Sequence, residues 1–330
     1  MLKNTELSVW QKIILNMKRL FFPIVIVAFF TLNLSSCDRE EDVINNTPTP
    51  IDTTPTEPSE PRDTTPSIGG FDENGASNSL FSVSVTHKVH FSKGNLQYRP
   101  SDGTWRFAEM QFHYIGTSNQ NISSLYDSWI DLFGWGTSGW NSGATSYLPW
   151  DTNANYSYYY PGGSYENNLT GNFSNADWGV YNLIENGGNL TGMWRTLTSD
   201  EWSYLLNERE DAIVKYGLGI IEGTYYGLII LPDRWTLPSE LKFISGTHDF
   251  SDNKYTLEQW LLMENAGAIF LPAAGQRHGS TIYYSGTHGH YWSSIAKDES
   301  LAYGIHFKTL LTTIDNDWRY LGRSVRLVRD

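Results

Sequence analysis

The sequence predicts a mixed α+β domain of short twisted antiparallel strands, two main helices and long ordered loops. Three observations carry that expectation. The chain holds 20 Tyr, 13 Trp and 15 Phe beside 29 Gly, a mixture that suits short strands and tight turns better than long helices. Apolar–polar alternation recurs in short runs, such as Phe81, Val83 and Val85 or Val89 and Phe91, which is the period of a half-buried strand. Helical periodicity is confined to two stretches in the second half of the chain.

Residues 1–36 read as a secretory signal. The apolar run at 20–34 follows Lys18 and Arg19, and a basic flank with so short a run describes a signal rather than a membrane span. The run ends in Leu34, Ser35, Ser36 and Cys37, which resembles a bacterial lipobox, so Cys37 is expected to carry the lipid. Met17, Lys18 and Arg19 would themselves begin a signal of ordinary length, and Met17 is the alternative start. The cluster Asp38, Arg39, Glu40, Glu41, Asp42 resembles the surface-export signal of Bacteroidetes lipoproteins. Together these features predict a protein lipid-anchored to the outer membrane and facing the exterior. Cys37 is the only cysteine, so neither an internal disulfide nor a cysteine-based metal cluster can form.

Residues 37–70 are expected to be the lipidated cysteine and a stalk. Pro, Thr, Asp and Glu dominate from 43 to 68, leaving little to bury and many prolines to block helix and sheet. Asp52-Thr53-Thr54 and Asp63-Thr64-Thr65 resemble the short O-glycosylation sequon of Bacteroidetes, marking Thr53 and Thr64 as candidate acceptors.

Residues 71–330 are expected to form the globular domain. Strands are predicted at 81–85 and 89–91, and Gly- and Asn-rich turns then dominate to about residue 175. Thr198 and Glu201 form a capping box that opens a helix at 201–209, with Trp202, Leu205 and Leu206 on one face. A second helix is predicted at 256–265, ended by Gly267. Strands return at 268–271, 291–295, 301–307 and 324–328.

Several motifs in this region are similar to a family of secreted Bacteroidetes proteins. They are Asp177-Trp178-Gly179, Asn186-Gly187-Gly188, the run Trp194 to Trp202, Leu231 to Trp235, Phe270 to Gly275, Tyr291 to Ser294 and Gly322 to Val328. The family is related to the Fibrobacter major paralogous domain and, more remotely, to the C-type-lectin-like fold of formylglycine-generating enzymes. The resemblance covers most of residues 81–330 and implies a C-type-lectin-like fold. It does not imply an activity, because fold does not settle function.

Chemistry is easier to exclude than to assign. Formylglycine-generating enzymes use paired cysteines, and this domain has none, so that activity is not carried over. The His-x-x-x-His-x-Glu pattern of sulfoxide-forming relatives is absent, as are Gly-x-Ser-x-Gly, His-Glu-x-x-His and phosphate-loop patterns. A formal net charge of -13 argues against nucleic acid, whose phosphates need a basic surface. Asp151, Asn153 and Asn155 begin like a calcium loop, but Tyr156 stands where Gly is required and Gly162 where the closing acid belongs. His288 and His290 could bring two imidazoles near a metal, and two ligands are not a site. Glu166, Asp177, Glu185, Asp200 and Glu201 are carboxylates that a glycan-active enzyme could use, with no spacing that singles out a pair.

A binding surface has more to draw on. Alternation in 301–308 sends Leu301, Tyr303, Ile305 and Phe307 to one face as core, and Ala302, Gly304, His306 and Lys308 outward. A polar and aromatic loop is expected next, with Asp315, Asp317, Trp318, Arg319 and Tyr320. In lectin-like folds this C-terminal region presents the ligand, and in some Bacteroidetes relatives retroelements diversify it. The expected ligand surface is therefore His288, His290, His306, Lys308, Asp315, Asp317, Trp318 and Arg319, with Trp292, Arg323 and Arg326 as framework. Trp318 has a second reading, packing against the end of the barrel. The functions that follow are a surface lipoprotein binding a glycan or a protein, a carboxylate-dependent glycan-active enzyme, or a structural or fimbria-associated component.

Overall fold

The computed structural model describes residues 70–330. The signal segment, Cys37 and the stalk with Thr53 and Thr64 lie outside the described residues. The N-terminal part supplies β1 (Phe81–Ser82), β2 (Lys88–Phe91), β3 (Leu96–Arg99) and β4 (Thr104–Phe107). Long turns lead to the short helix α1 (Trp178–Tyr181), β5 (Arg195–Thr196) and α2 (Ser199–Ser203). The hairpin β6 (Tyr216–Ile221) and β7 (Tyr225–Ile230) precedes β8 (Lys254–Tyr255), α3 (Leu257–Asn265) and β9 (Ile269–Pro272). The C-terminal part holds β10 (Gln276–His278), β11 (Thr281–Tyr283), β12 (Gly289–Ala296), β13 (Leu301–Lys308), β14 (Leu311–Trp318) and β15 (Leu327–Arg329).

The fold is mixed α+β, with small sheets and few helices. Two four-stranded sheets have the orders β1-β2-β15-β5 and β8-β6-β7-β9, a third has the order β12-β13-β14, and two hairpins complete the set. Pairing is antiparallel except between β6 and β8. Residues 81–175 belong to the same compact unit as the rest of the described domain. One core joins Leu96, Trp105 and Trp135 to Trp292, Val325 and Leu327, so the Gly-rich first half cannot fold as a separate layer.

Both predicted helices form where the capping chemistry places them. Thr198 accepts from the Glu201 amide while Glu201 accepts from the Thr198 amide, and Thr256 and Gln259 repeat the arrangement. Each cap stabilises its helix by about 1 kcal/mol. The first helix widens after Ser203 into a π-helical turn at Tyr204–Glu208, which still buries Leu205 and Leu206. The strand expected at 81–85 stops at Ser82, because the Ser84 hydroxyl accepts from the amides of Thr86 and His87 and turns the chain.

β6 and β7 were not predicted. Every residue of β6 is buried, so the run Tyr216-Gly-Leu-Gly-Ile-Ile carries no alternation to read. A strand covered on both faces and a buried helical segment look alike in sequence.

Asp131 shows how the long loops are fixed. Its carboxylate accepts from the Ile115 amide (2.9 Å) and from Asn119 Nδ2 (2.7 Å), while Asn119 Oδ1 accepts from the amides of Asp131 and Leu132. Burial pushes Asp131 up to about 6, against the relief of these hydrogen bonds. The folded state thus holds this proton more tightly than the unfolded chain. Acidification from pH 6 to 4 stabilises the fold through Asp131, by roughly 3 kcal/mol when complete, and above pH 6 the contribution is gone. Urea midpoints measured from pH 4 to 7 should rise on acidification by less in Asp131→Asn than in the parent. Parallel curves would refute the assignment.

Candidate functional site

The C-terminal sheet sets the site by its register. His290 pairs with His306, and Trp292 with Gly304. On the other side His306 pairs with Thr313, Gly304 with Asp315 and Ala302 with Asp317. One face therefore carries the rows His290–His306–Thr313, Trp292–Gly304–Asp315 and Ala302–Asp317. Tyr291, Ile305 and Phe307 point the other way and sit in the core around Trp202 and Leu218.

The face expected to lie open is covered at its centre. Ala302 is fully buried in the core that includes Trp292, and Gly304 is buried as well. Gly304 has no room for a side chain, because an added Cβ would meet the Tyr291 carbonyl oxygen at 2.2 Å, and Arg323 Nη1 lies beyond it at 3.4 Å. Arg323 is fully buried, stacks on the Trp292 ring at 4.7 Å and donates to Asp317. Asp315 lies 3.7 Å from the same guanidinium. The opposite face is also less buried at its end than expected, since Leu301 and Tyr303 are only half-buried.

At the open end of this face three imidazoles stack. His290 and His306 lie 4.3 Å apart at 10°, and His288 and His306 lie 5.5 Å apart at 13°. Tyr284 extends the stack, 4.5 Å from His288. His290 is 4% exposed, and neither of its ring nitrogens, nor His306 Nε2, has a hydrogen-bond partner among the described residues. Burial, then the charges of Arg323 and the neighbouring histidines and Lys308, hold His290 well below the ordinary imidazole range. Burial pushes His306 down to about 4, with Asp315 opposing. The stack is neutral at physiological pH.

Beside it opens a cleft of about 360 Å³ lined by Gln276, His278, Tyr284, Asp317, Trp318 and Tyr320, among others. Trp318 is 41% exposed. It lies parallel to Tyr320 at 5.8 Å and 18° and is backed by Tyr156 at 5.8 Å. His278 adds a ring 5.4 Å from Tyr320. Gln276 lines the same cleft, and its Oε1 is buried without a partner among the described residues.

Three expectations for this region are corrected. Asp315, Asp317 and Trp318 are not in a loop but in β14, because the alternation of Ile314 and its neighbours pairs fully with β13. Arg319 is not a surface contact: it is 0% exposed, donates to the carbonyls of Tyr165 and Asp298 and stacks on Trp135 and Tyr160. Its role is to tie loops together. His290 is likewise buried rather than displayed. Trp318 and Asp317 line the cleft, His288, His306 and Asp315 gather around His290, and Lys308 flanks the stack at the end of β13. Tyr284, His278 and Gln276 were missed, as the β10–β11 hairpin carries no motif of its own, and Tyr320 was placed beside Trp318 but not among the ligand residues.

Four of the other candidates, Asp177, Glu201, Asn153 and Asn155, are occupied structurally. Asp177 caps α1 through the Gly179 amide and accepts from the Thr196 amide, and Glu201 pairs with Arg195 besides closing its capping box. Asn153 and Asn155 accept from backbone amides two residues ahead, as Asx turns do. Among the described residues no helix is long and apolar enough to cross a membrane.

The fold and site thus define an α+β protein with an aromatic cleft beside a buried histidine cluster. No protein-family model matches the chain, and no curated protein or solved structure matches it significantly.

Proposed function

We propose that the chain is a surface-displayed lipoprotein whose domain, of C-type-lectin-like type, binds a glycan in the Trp318 cleft. The observation that carries this reading is the exposed Trp318 lying parallel to Tyr320 in an open cleft beside Asp317 and Gln276. Flat apolar faces next to a few fixed polar groups suit sugar rings, which present C–H faces and rim hydroxyls. Lipidation at Cys37 and the Pro/Thr-rich stalk would hold the cleft outside the cell, and variation concentrated in the outward residues of 295–321 would alter the ligand without altering the frame. A protein ligand on the same aromatic surface is the second reading, supported by the exposed Tyr283, Tyr284 and Trp318.

A glycan array probed with the purified protein tests this. A defined set of sugars should bind, and Trp318→Ala should weaken the best of them at least tenfold, matching the 1–3 kcal/mol typical of aromatic stacking losses. Its melting temperature should stay within about 2 °C of the parent's, since an exposed ring contributes little to stability. Capture of a protein, with an empty array, would replace the glycan reading with the second one. Retained glycan binding in Trp318→Ala would move the site elsewhere.

A further inference from the structure

We propose that His290, His306 and Asp315 form a binding site for one divalent first-row transition-metal ion of the zinc type. The three residues come from adjacent strands, β12, β13 and β14, and their ligand atoms all lie within 4.8 Å of one another. His306 Nδ1 and Asp315 Oδ2 are 3.8 Å apart. That is too long for a hydrogen bond, but two ligands 2.0–2.2 Å from one ion stand about 3.4 Å apart in tetrahedral geometry.

Burial supplies the second, independent observation. A histidine ring normally hydrogen-bonds through at least one nitrogen when buried, because an unmet polar group costs about 1–3 kcal/mol. His290 is buried with both nitrogens unpartnered among the described residues, and His306 Nε2 is buried in the same condition. Ring nitrogens without hydrogen-bond partners offer the lone pairs a metal requires, and two imidazoles with a carboxylate suit zinc or its neighbours rather than calcium. The charge balance also allows it. Asp317 takes the hydrogen bond from Arg323, and Asp315, at 3.7 Å from that guanidinium, is shared between it and the ion.

The stacked geometry makes a specific demand. Rings only 10° from parallel cannot both aim an in-plane lone pair at one point, so one imidazole must turn about its Cβ–Cγ bond as the ion enters. His306, half-buried at the open end of the face, is the ring that turns, and its stacking contacts with His290 and His288 must part for it to do so. His288 lies within stacking distance and is the candidate fourth ligand; otherwise water completes the shell. The site does not depend on a glycan occupying the cleft.

The test is titration of the chelator-stripped full-length protein with zinc and, separately, cobalt. One equivalent of zinc should bind with micromolar or tighter affinity and raise the melting temperature. Cobalt should give the intense visible bands of a four-coordinate nitrogen–oxygen site. His306→Gln and Asp315→Asn, both partly exposed positions, should each weaken zinc at least tenfold, whereas His87→Ala, on a distant surface, should not. In the unaltered protein, imidazole nitrogen resonances of His290 and His306 should shift on zinc addition, which keeps the test independent of how any variant folds. Zinc binding no tighter than millimolar, unshifted His290 and His306 resonances, or equal affinity in His306→Gln and Asp315→Asn would overturn the proposal.

Discussion

Trp292→Ala is expected to remove about 4 kcal/mol or more of stability. The ring is fully buried in the core shared by both halves of the domain. Deleting a buried Trp costs about 3–5 kcal/mol in lost transfer energy and cavity. Two further losses follow from its polar contacts. Nε1 donates to the Phe133 carbonyl at 2.8 Å, and that buried acceptor would keep only the Arg323 amide as a donor, a loss of about 1 kcal/mol. Arg323, which stacks on the ring, would lose its support above Gly304. Since domains of this kind are stable by about 5–15 kcal/mol, the variant should be largely unfolded in low denaturant. Trp292→Phe retains the stack and should cost less than half as much. The urea midpoints of the two variants decide the matter; similar small shifts in both would show that Trp292 is not a keystone of this core.

The contrast between Trp292 and its neighbours shows what a sequence can reveal here. The framework role of Trp292, Arg323 and Arg326 was legible, as were both helices, the Thr198 capping box and most C-terminal strands, because each rests on local pattern or on a residue type rarely left exposed. The candidate cleft was half legible. Trp318 and Asp317 are near one another in sequence, whereas Gln276, His278 and Tyr284 reach the same cleft from a different hairpin. Arg319 and His290 were misplaced for a related reason. Polar side chains are expected outside by default, and only the fold reveals the carbonyls waiting for Arg319. The alternation in 301–308 gave the correct two faces, but it could not say that Arg323 would cover the second.

Gly289→Ala should cost about 3 kcal/mol, a large effect for a single methyl group. Gly289 pairs with Phe307, and the Phe307 ring lies directly over it. An added Cβ would fall 1.9 Å from Cζ and 2.3 Å from Cε1. Phe307 is itself fully buried against Tyr291 and Ile305, so the ring has no free space to enter, and overpacking at such a site costs about 1–3 kcal/mol or more. This explains the spacing of His288-Gly289-His290. Alternation requires the middle residue to face Phe307, and only glycine fits beneath it. Combining Gly289→Ala with Phe307→Leu should recover part of the loss, a coupling of about 1 kcal/mol or more in a double-mutant cycle. Simple additivity of the two unfolding free energies would show that the ring is not the obstacle.

The sheet β1-β2-β15-β5 has a consequence for when this domain can form at all. Its central pair joins Phe91 to Val328, and β5 is hydrogen-bonded to that same late strand. A chain emerging from its N-terminus, whether from a ribosome or through a secretion pore, can assemble hairpins such as β6–β7 as they appear. It cannot close this sheet until residues 327–329 have cleared the exit. Completion therefore waits on that strand and is set by the slow search of distant segments for one another. Until then the polypeptide remains threadable, as any protein must be if it is to pass through a narrow channel before it folds.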